Sequence, residues 1–247
     1  MMPGSRSAQR ILLISSSKIH RSGYLDHARE EIRRTLGQAE RVLFLPYALF
    51  DRAEYTARTR SRFASMDLAL ESIDDAPDPR RSVAEAQAVF VGGGNTFRLL
   101  TALYRNDLLE PIRRHVAEGK PYIGSSAGSI VAGPSLGTTK DMPILQPPSF
   151  QALSLVPFHI SPHYLDPDPT STHMGETQEE RILQFLEEQE GLVVGLREGG
   201  MLRVEDGETL LTGVAGARIF RKGEAPEETL PPCRLDGLLT TSGNASP

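Results

Sequence analysis

Cysteine, tryptophan and long apolar runs are scarce or absent in this sequence. Its 247 residues include one cysteine, Cys233, and no tryptophan. A single cysteine excludes an internal disulfide and a zinc cluster built on several cysteines, and it suggests a reducing compartment. No apolar run approaches the roughly 18 residues that cross a bilayer. We therefore expect a protein with no membrane partner, no disulfide and no bound metal ion.

Positive charge is also in short supply. Lys and Arg total 27 against 32 Asp and Glu, which gives a net charge of −5, and no segment is dense in Lys or Arg. General nucleic-acid binders carry a basic surface that neutralises phosphates, so we expect no nucleic-acid partner. The first apolar run, residues 11–14, is too short to be the core of a signal peptide. We therefore expect a cytoplasmic protein.

Short apolar runs alternate with amphipathic stretches of helical length in the first half of the chain. This alternation predicts an α/β fold with a doubly wound, mostly parallel sheet covered by helices. The predicted strands are residues 10–15, 41–46, 88–91 and 121–124, and the predicted helices are 24–36, 52–66, 96–105 and 112–117. Prolines interrupt the periodicity after about residue 135. There the pattern predicts a helix at 176–190 and strands at 192–196, 202–204, 209–211 and 215–220.

No repeat or linker divides this pattern, so we predict a single domain that is long enough to bury a sizeable core. The boundaries that composition indicates are a flexible N-terminus at residues 1–9, one α/β domain at 10–222, and a tail at 223–247. The tail is rich in Pro, Glu, Gly, Ser and Thr, a composition that favours partial disorder.

Two segments match Gly-x-Ser-x-Gly, at residues 124–128 and 133–137. In a nucleophile elbow, a strand enters a strained turn that exposes the serine hydroxyl, and a helix begins directly after it. The first match fits, because an apolar strand pattern precedes Ser126 and a helix can start after it. The second does not fit, since Pro134 precedes Ser135 and no helical pattern follows. Ser126 is therefore the candidate nucleophile, and the alternative is a tight turn without a catalytic role.

Three consecutive glycines, residues 92–94, follow a predicted strand and precede a predicted helix. Glycines allow a sharp turn that directs backbone N–H groups outward. The segment could form an oxyanion hole from the N–H groups of Gly94 and Ala127, cradle a phosphate at a helix N-terminus, or be a turn without catalytic consequence. The dinucleotide fingerprint Gly-x-Gly-x-x-Gly with a later acid is absent.

A serine nucleophile needs a base, and the chain has six histidines. His27 and His115 lie among charged residues on predicted helices, where a solvated position is the usual one. His20 follows the first strand and could line the carboxyl edge of the sheet. His159 and His163 are four residues apart on either side of Ile-Ser-Pro. The pattern alone does not choose between His159 and His163.

Five motifs occur along the chain in a fixed order. They are Gly-Gly-Gly-Asn-Thr-Phe at 92–97, Tyr-Ile-Gly-Ser-Ser-Ala-Gly at 122–128, Thr-Thr-Lys-Asp-Met-Pro-Ile at 138–144, Ser-Pro-His-Tyr at 161–164, and Gly-Glu-Thr at 175–177 with Arg-Ile at 181–182. Together, over about residues 10–222, they resemble the peptidase E (aspartyl dipeptidase) family. The resemblance implies a class I glutamine amidotransferase-like (flavodoxin-like) fold and a serine exopeptidase that removes N-terminal aspartate from short peptides without metal or cofactor. It also implies a homodimer.

The resemblance assigns roles to the residues that match the family motifs. Ser126 is implied as the nucleophile and His163 as the general base. Asp141 and Glu198 match acidic positions of the family. Glu198 is favoured as the partner of His163 and Asp141 as the group that binds the substrate ammonium, and the reverse assignment stays open.

The same comparison implies a substrate-binding set, and it exposes one departure from the family. The set is Asn95, Thr139, His173, Gln178 and Arg181. Selectivity for aspartate requires a cationic or multi-donor pocket, for which the last three are candidates. Gln178 stands where an arginine often follows Gly-Glu-Thr in this family. The loss of a bidentate carboxylate clamp predicts a less strict preference for aspartate, with the hydrolytic residues unchanged.

Other functions fit the motifs less well. One alternative is a cyanophycinase-like peptidase of the same fold that cleaves at a β-aspartyl backbone. Another, from a different class, is a non-catalytic binding module built on the glycine-rich loop. Amidotransferases of this fold are disfavoured, because they carry cysteine at the elbow where this chain has Ser126. An intact pair of Ser126 and His163 would separate an enzyme from a binding module.

Overall fold

The computed structural model describes residues 9–172 and 174–235. Its strands are β1 (Arg10–Ile14), β2 (Arg41–Leu45), β3 (Ala69–Ser72), β4 (Val89–Val91), β5 (Tyr122–Ser125), β6 (His159–Pro162), β7 (Leu192–Leu196), β8 (Gly200–Glu205), β9 (Glu208–Gly213), β10 (Ala217–Arg221), β11 (Glu227–Thr229) and β12 (Cys233–Arg234). Its α-helices are α1 (Arg29–Leu36), α2 (Arg52–Ala64), α3 (Pro79–Glu85), α4 (Thr96–Arg105), α5 (Leu109–Ala117), α6 (Ala127–Ile130) and α7 (Gln178–Glu188). No helix in these two stretches is long and apolar enough to cross a membrane.

The larger sheet confirms the predicted α/β architecture. Over the described residues its strand order is β12-β9-β8-β1-β5-β4-β2-β3. The five strands from β1 to β3 in this order pair in parallel. Strands β8, β9 and β12 continue the sheet in antiparallel pairs. The sheet is therefore mostly parallel in the first half of the chain, as the alternating pattern predicts.

Both faces of β1 are buried, which explains why its sequence is continuously apolar. Leu12 and Ile14 belong to the core that contains residues of α1 and α2. Ile11 and Leu13 belong to the core that contains residues of α4 and α5. Because successive strand side chains point to opposite faces of a sheet, helices cover the sheet on both sides, and the fold is doubly wound.

A second sheet contains half of the strands predicted in the C-terminal part. Its order over the described residues is β11-β10-β7-β6. β6 and β7 are parallel, with Pro162 opposite Leu196, whereas β10 and β11 add in antiparallel pairs. The last residues of β6 and β7 therefore lie side by side at one edge of this sheet.

Several element boundaries differ from the predicted ones. β3, α3 and β6 were not predicted, because elements of four to seven residues with mixed polarity give no clear periodic signal. Helix α1 begins at Arg29 rather than at residue 24. The reason is that Leu25 has a left-handed φ of 57°, which a right-handed α-helix does not contain.

The chain beyond residue 222 contributes to both sheets. β11 pairs with β10 and β12 pairs with β9, so the sheets extend past the domain boundary at residue 222 that composition indicates. Residues 1–8, which make up most of the predicted flexible N-terminus, and residues 236–247 of the predicted tail lie outside the described residues.

Candidate active site

Ser126 lies where parallel strands of the larger sheet end. β1, β5 and β4 are neighbours, and their carboxyl ends lead to Ser15, Ser126 and Gly92. In open α/β sheets, ligands bind outside the carboxyl ends of the strands. The Ser126 N–H donates to the Ile14 carbonyl oxygen at 2.9 Å, which ties the turn after β5 to the end of β1. Three loops thus meet at this edge.

The turn at Ser126 has the geometry of a nucleophile elbow. Ser126 has a φ of 52° and a ψ of −110°, and α6 begins at the next residue. The flanking glycines are required by close contacts: a Cβ on Gly124 would lie 2.5 Å from the Gly128 oxygen, and a Cβ on Gly128 would lie 2.1 Å from the Val91 oxygen. Backbone therefore packs directly on backbone, which is why the strained turn needs glycine on both sides.

His163 and Glu198 reach Ser126 from the second sheet. Ser126 Oγ and His163 Nε2 are 2.8 Å apart, and His163 Nδ1 and Glu198 Oε1 are 2.7 Å apart. His163 follows β6 and Glu198 lies two residues after β7, so the parallel pairing of these strands brings imidazole and carboxylate together. In such a line the imidazole can accept the hydroxyl proton while the carboxylate orients the ring.

The backbone of His163 is unusual for a non-glycine residue. Its φ is 53°, in the left-handed region, and its N–H donates to Ser15 Oγ at 2.9 Å. Ser15 Oγ in turn donates to the Leu196 carbonyl oxygen at 2.7 Å. Ser15 therefore joins β1 to the ends of β6 and β7. Sequence reasoning did not select it, although its position directly after β1 at the sheet edge was a usable signal.

Arg197 fixes the turn that carries Glu198. Its guanidinium donates to both Asp166 oxygens at 2.7 and 2.8 Å and to both Glu228 oxygens at 2.6 and 2.8 Å. The hydrogen bonds to Asp166 and Glu228 raise the pKa of Arg197, and Arg197 lowers the pKa of Asp166. Sequence reasoning missed this residue too, because its two carboxylate partners are each 31 residues away.

The glycine run lies against Ser126 and is held by a buried tyrosine. A Cβ on Gly93 would lie 2.9 Å from the Ser126 Cβ. The Gly93 N–H donates to the Tyr55 hydroxyl oxygen at 2.9 Å, and burial raises the Tyr55 pKa well above its usual value. Gly94 follows with a φ of 138°, and Ala127 supplies the first N–H of α6. The two predicted oxyanion donors thus belong to segments that flank Ser126.

Asp141 lies at the start of α4, whereas Glu198 is the acid on His163. Asp141 Oδ2 accepts hydrogen bonds from the Thr96 N–H at 2.7 Å and from the Thr96 hydroxyl at 2.6 Å. It also accepts one from the Thr139 hydroxyl at 3.0 Å. A carboxylate is favourable at a helix N-terminus, so this network fixes the loop of residues 138–144 to the glycine-rich segment.

Asn95, predicted to bind substrate, connects the same two segments. Its side-chain oxygen accepts from the Arg98 N–H at 3.0 Å and caps α4. Its amide nitrogen donates to the Met142 carbonyl oxygen at 2.9 Å. Both ends of the side chain are therefore engaged with the protein.

The start of α7 carries two of the predicted specificity residues. Gln178 is its first residue, and Gln178 Oε1 accepts from Lys140 Nζ at 3.1 Å and from a loop N–H at 3.1 Å. Arg181 Nε lies 3.5 Å from Glu176 Oε2. His173 lies outside the described residues. Lys140, which sequence reasoning did not select, is thus a positive charge in direct contact with Gln178.

The remaining histidines occupy different environments. His159 Nε2 lies 3.0 Å from Ser135 Oγ of the second Gly-x-Ser-x-Gly segment, and burial lowers the His159 pKa to about 4. The predicted solvated position of His115 is wrong: the ring is buried, and its nitrogens lie 3.1 and 3.2 Å from two carbonyl oxygens. The predicted solvated position is wrong for His27 as well, because both of its ring nitrogens are buried. His20 is exposed.

At this edge of the sheet, the Ser126 hydroxyl, the His163 imidazole and the Glu198 carboxylate form a hydrogen-bonded line. In residues 9–172 and 174–235, no group of three or more His, Cys, Asp or Glu side chains has the arrangement of a metal site. A serine hydroxyl next to an imidazole, with backbone N–H groups nearby, is suited to acyl transfer.

Comparison with known proteins identifies the family. The model of peptidase family S51 matches residues 11–212. The chain belongs to peptidase family S51. It is 51% identical over 233 residues to peptidase E of Streptomyces coelicolor, with 94% of this chain and 96% of that protein covered. It is 47% identical over 236 residues to a probable alpha-aspartyl dipeptidase of Drosophila melanogaster, with coverage of 94% and 98%. This S51 member is therefore a serine-type hydrolase.

A solved structure agrees with the fold. The chain resembles a peptidase from an acI-B1 actinobacterium with a TM-score of 0.71 at 16% sequence identity. The likeness covers 93% of this chain and 98% of that one. At this identity the match supports the α/β architecture of the S51 chain.

Proposed function

We propose that this S51 peptidase is a dipeptidase that removes N-terminal aspartate from short peptides, with Ser126 as nucleophile and His163 as general base. The observation that carries the proposal is the hydrogen-bonded line from Ser126 Oγ through the His163 ring to Glu198 Oε1 at the carboxyl ends of parallel strands. The names of the relatives, peptidase E and probable alpha-aspartyl dipeptidase, support the substrate class.

Acylation uses the serine hydroxyl and the imidazole. Ser126 Oγ attacks the peptide carbonyl carbon while His163 Nε2 accepts the hydroxyl proton. As the C–N bond breaks, His163 gives this proton to the leaving amine, and an ester remains on Ser126. Water then attacks the ester while His163 accepts a proton from it and returns that proton to Ser126, which releases aspartate. Glu198 orients the ring through Nδ1 and stabilises the imidazolium.

Two backbone amides are our candidates for stabilising the tetrahedral intermediate. We assign its oxyanion to the N–H groups of Gly94 and Ala127. The Gly93 N–H is engaged with Tyr55, which leaves Gly94 as the next amide of the turn. The first N–H groups of a helix lack an intrahelical acceptor, and Ala127 is the first residue of α6. Donors fixed where negative charge develops favour the transition state.

Asp141 is the acid that we assign to the substrate ammonium. Its Oδ2 is held by Thr96 and Thr139, so Oδ1 is the oxygen that would accept from the ammonium. An exopeptidase needs such a contact, because the free amino group distinguishes the end of a peptide from its interior. Thr139 and Asn95 contribute by fixing the loop that carries Asp141.

Recognition of the acidic side chain is assigned to the start of α7. Gln178 offers a neutral amide and Arg181 a guanidinium, with the Lys140 ammonium beside Gln178. A neutral amide discriminates a carboxylate from a carboxamide less well than a bidentate guanidinium does. We therefore expect the protein to prefer N-terminal aspartate over asparagine only moderately. A variant with arginine at position 178 should show a larger preference.

A panel of four dipeptides tests the function. The substrates are Asp-Leu, Glu-Leu, Ala-Leu and β-Asp-Leu, assayed with wild type, Ser126→Ala and His163→Ala. The proposal expects Asp-Leu to be cleaved fastest and both variants to lose activity by several powers of ten. Cleavage of β-Asp-Leu above Asp-Leu would instead favour a cyanophycinase-like specificity. No Ser126-dependent cleavage of any of the four would contradict a dipeptidase function.

A homodimer and a cytoplasmic location complete the proposal. The homodimer comes from the family resemblance described above, and the cytoplasmic location from the first apolar run, which is too short for a signal-peptide core. Light scattering of the purified protein measures the mass in solution, and the mass of one 27.1 kDa chain at micromolar concentration would contradict the dimer. Cell fractionation tests the compartment.

A further inference from the structure

Lys140 uses all of its hydrogen-bond donors on the protein. Its ammonium donates to the carbonyl oxygen of Pro162 at 2.8 Å, to that of His163 at 3.1 Å, and to Gln178 Oε1 at 3.1 Å. An ammonium group has three N–H donors. The three acceptors lie at the end of β6 and at the first residue of α7. Lys140 therefore connects the loop that carries Asp141 to both of these elements.

Both backbone polar groups of His163 are hydrogen-bonded to side chains. Its N–H donates to Ser15 Oγ and its carbonyl oxygen accepts from Lys140 Nζ. The left-handed φ of 53° is unfavourable for a residue with a Cβ, and such a conformation persists only where the surrounding structure determines it. Ser15 and Lys140 both hold the peptide group between Pro162 and His163, and Lys140 also holds the next one.

We infer that Lys140 is a positioning residue for the general base, since its bonds to the carbonyl oxygens of Pro162 and His163 hold the imidazole in line with Ser126 Oγ. The inference rests on the proposed function, in which His163 accepts the Ser126 proton. Displacement of a catalytic group by about 1 Å can cost about 100-fold in rate. The bond to Gln178 extends the same support to the proposed specificity residue.

Lys120 provides a matched control. Its ammonium donates to the Ala84 carbonyl oxygen at 2.8 Å and lies 2.9 Å from Glu118 Oε2. Lys120 precedes β5, whereas Ser126 follows it, so the two lie at opposite ends of that strand. A variant of Lys120 loses the same kind of bond to a backbone oxygen without contact with the site.

The first test compares wild type, Lys140→Met, Lys140→Arg and Lys120→Met on Asp-Leu. We expect Lys140→Met to lower kcat by about 10- to 100-fold, because the base is displaced. KM should rise by a smaller factor, because Thr96 still holds Asp141 while Gln178 loses one bond. Lys140→Arg should recover much of this loss, since a guanidinium can also donate to two carbonyl oxygens. Lys120→Met should retain the wild-type kcat.

The pH dependence of kcat gives a second readout. Partial burial of the ammonium lowers the pKa of Lys140 to about 8. The titratable and charged groups around it are Asp141 on its own loop, His163 after β6, Glu198 between β7 and β8, and Arg181 on α7. Loss of the third N–H above pH 8 weakens its bonds. Arginine stays protonated, so the ratio of Lys140→Arg to wild-type kcat should rise from pH 7.5 to 9.5.

Proton NMR of the His163 Nδ1–H reports its position without turnover. We expect its downfield resonance to shift or broaden in Lys140→Met and to stay unchanged in Lys120→Met. A folded Lys140→Met with the wild-type kcat and resonance would overturn the inference. If Lys140→Met does not fold, Lys140→Gln replaces it in both measurements, and a wild-type kcat and resonance in that variant would likewise overturn the inference. If the wild-type protein shows no Ser126-dependent cleavage, the proposed function is contradicted. The NMR resonance then still tests whether Lys140 positions His163.

Discussion

Two serine–histidine pairs lie in this molecule at nearly the same distance. Ser126 Oγ is 2.8 Å from His163 Nε2, and Ser135 Oγ is 3.0 Å from His159 Nε2. Both serines are the central residue of a Gly-x-Ser-x-Gly segment. The first pair is partly exposed at the carboxyl edge of a parallel sheet. In the second, the histidine is buried and packs edge-on against Phe185, with ring centres 4.9 Å apart.

The surroundings of each histidine make the difference. His163 has the Glu198 carboxylate on Nδ1, which can stabilise an imidazolium. Burial lowers the His159 pKa to about 4, so that ring stays neutral near pH 7 and is a poor proton acceptor. Ser126 also sits in a strained turn with a helix directly after it, whereas Ser135 lies in an isolated bridge to Gln151. Proximity of serine and histidine is therefore insufficient without charge stabilisation and exposure.

The largest difference between the two pairs is expected when the hydroxyl of Ser126 or that of Ser135 is removed. Ser126→Ala should reduce kcat for Asp-Leu by 10⁴-fold or more, because loss of a nucleophile removes the covalent route; about 10⁶-fold is known for a serine protease. Ser135→Ala should leave kcat within about threefold and lower stability by about 1 kcal/mol through the lost hydrogen bond. Initial-rate kinetics and urea unfolding measure the two effects. A comparable loss of kcat in both variants would remove the distinction between the pairs.

The second contrast separates the two acids. Glu198→Gln should lower kcat by about 10²- to 10⁴-fold, because the amide no longer stabilises the imidazolium. Asp141→Asn should mainly raise KM for Asp-Leu, since we assign Asp141 to the substrate ammonium. Full kinetics with both variants test the assignment. The opposite split between kcat and KM would exchange the two roles.

Tyr55 tests the support of the glycine-rich segment beside Ser126. Tyr55→Phe removes the acceptor of the Gly93 N–H and should lower kcat by about tenfold, because it displaces the turn that carries Gly94, an amide that we assign to the oxyanion. Tyr104→Phe is the control, as its hydroxyl donates to the Gln151 carbonyl oxygen at 2.9 Å near the second pair. Equal kcat values for Tyr55→Phe and wild type would show that the glycine turn holds its shape alone.

The last prediction concerns His159, the buried histidine of the second pair, and the stability of the protein in acid. The folded protein binds a proton at His159 only near pH 4, whereas the unfolded chain does so near pH 6.5. Stability should therefore fall as the pH drops from about 6.5 to 4. In urea unfolding, the free energy of unfolding of His159→Gln should fall over this pH range by about 1–3 kcal/mol less than that of wild type. His20→Gln, at an exposed position, should follow wild type, and identical pH curves for all three proteins would contradict the buried neutral assignment.

Much of the fold follows from local sequence, because local patterns report local geometry. Helix α4 has the bounds predicted for it, since an apolar face and the Asn95 cap both mark residues 96–105. Strand β7 also matches, as a fully apolar run bounded by polar residues. The short strand β3 and helix α3 were missed, because too few side chains contribute to any period.

The elbow at Ser126 follows from local sequence alone. A buried strand, two glycines where backbone packs on backbone, and a helix start are all encoded within ten residues, and the contacts at Gly124 and Gly128 explain why. The same reasoning excluded the segment around Ser135. Local sterics decide these features, so they can be read without knowledge of the rest of the chain.

The local pattern left open which histidine meets that serine; the family resemblance implied His163 and favoured Glu198, and the tertiary structure shows how they come together. His163 and Glu198 lie 37 and 35 residues from their partners along the chain, and the parallel pairing of β6 with β7 in a separate sheet brings them together. The contacts of Lys140 are also long-range. No sequence pattern marks a single lysine in a loop, and its three acceptors lie 22, 23 and 38 residues away along the chain. Contacts between distant segments depend on strand order and register, which a local pattern does not contain.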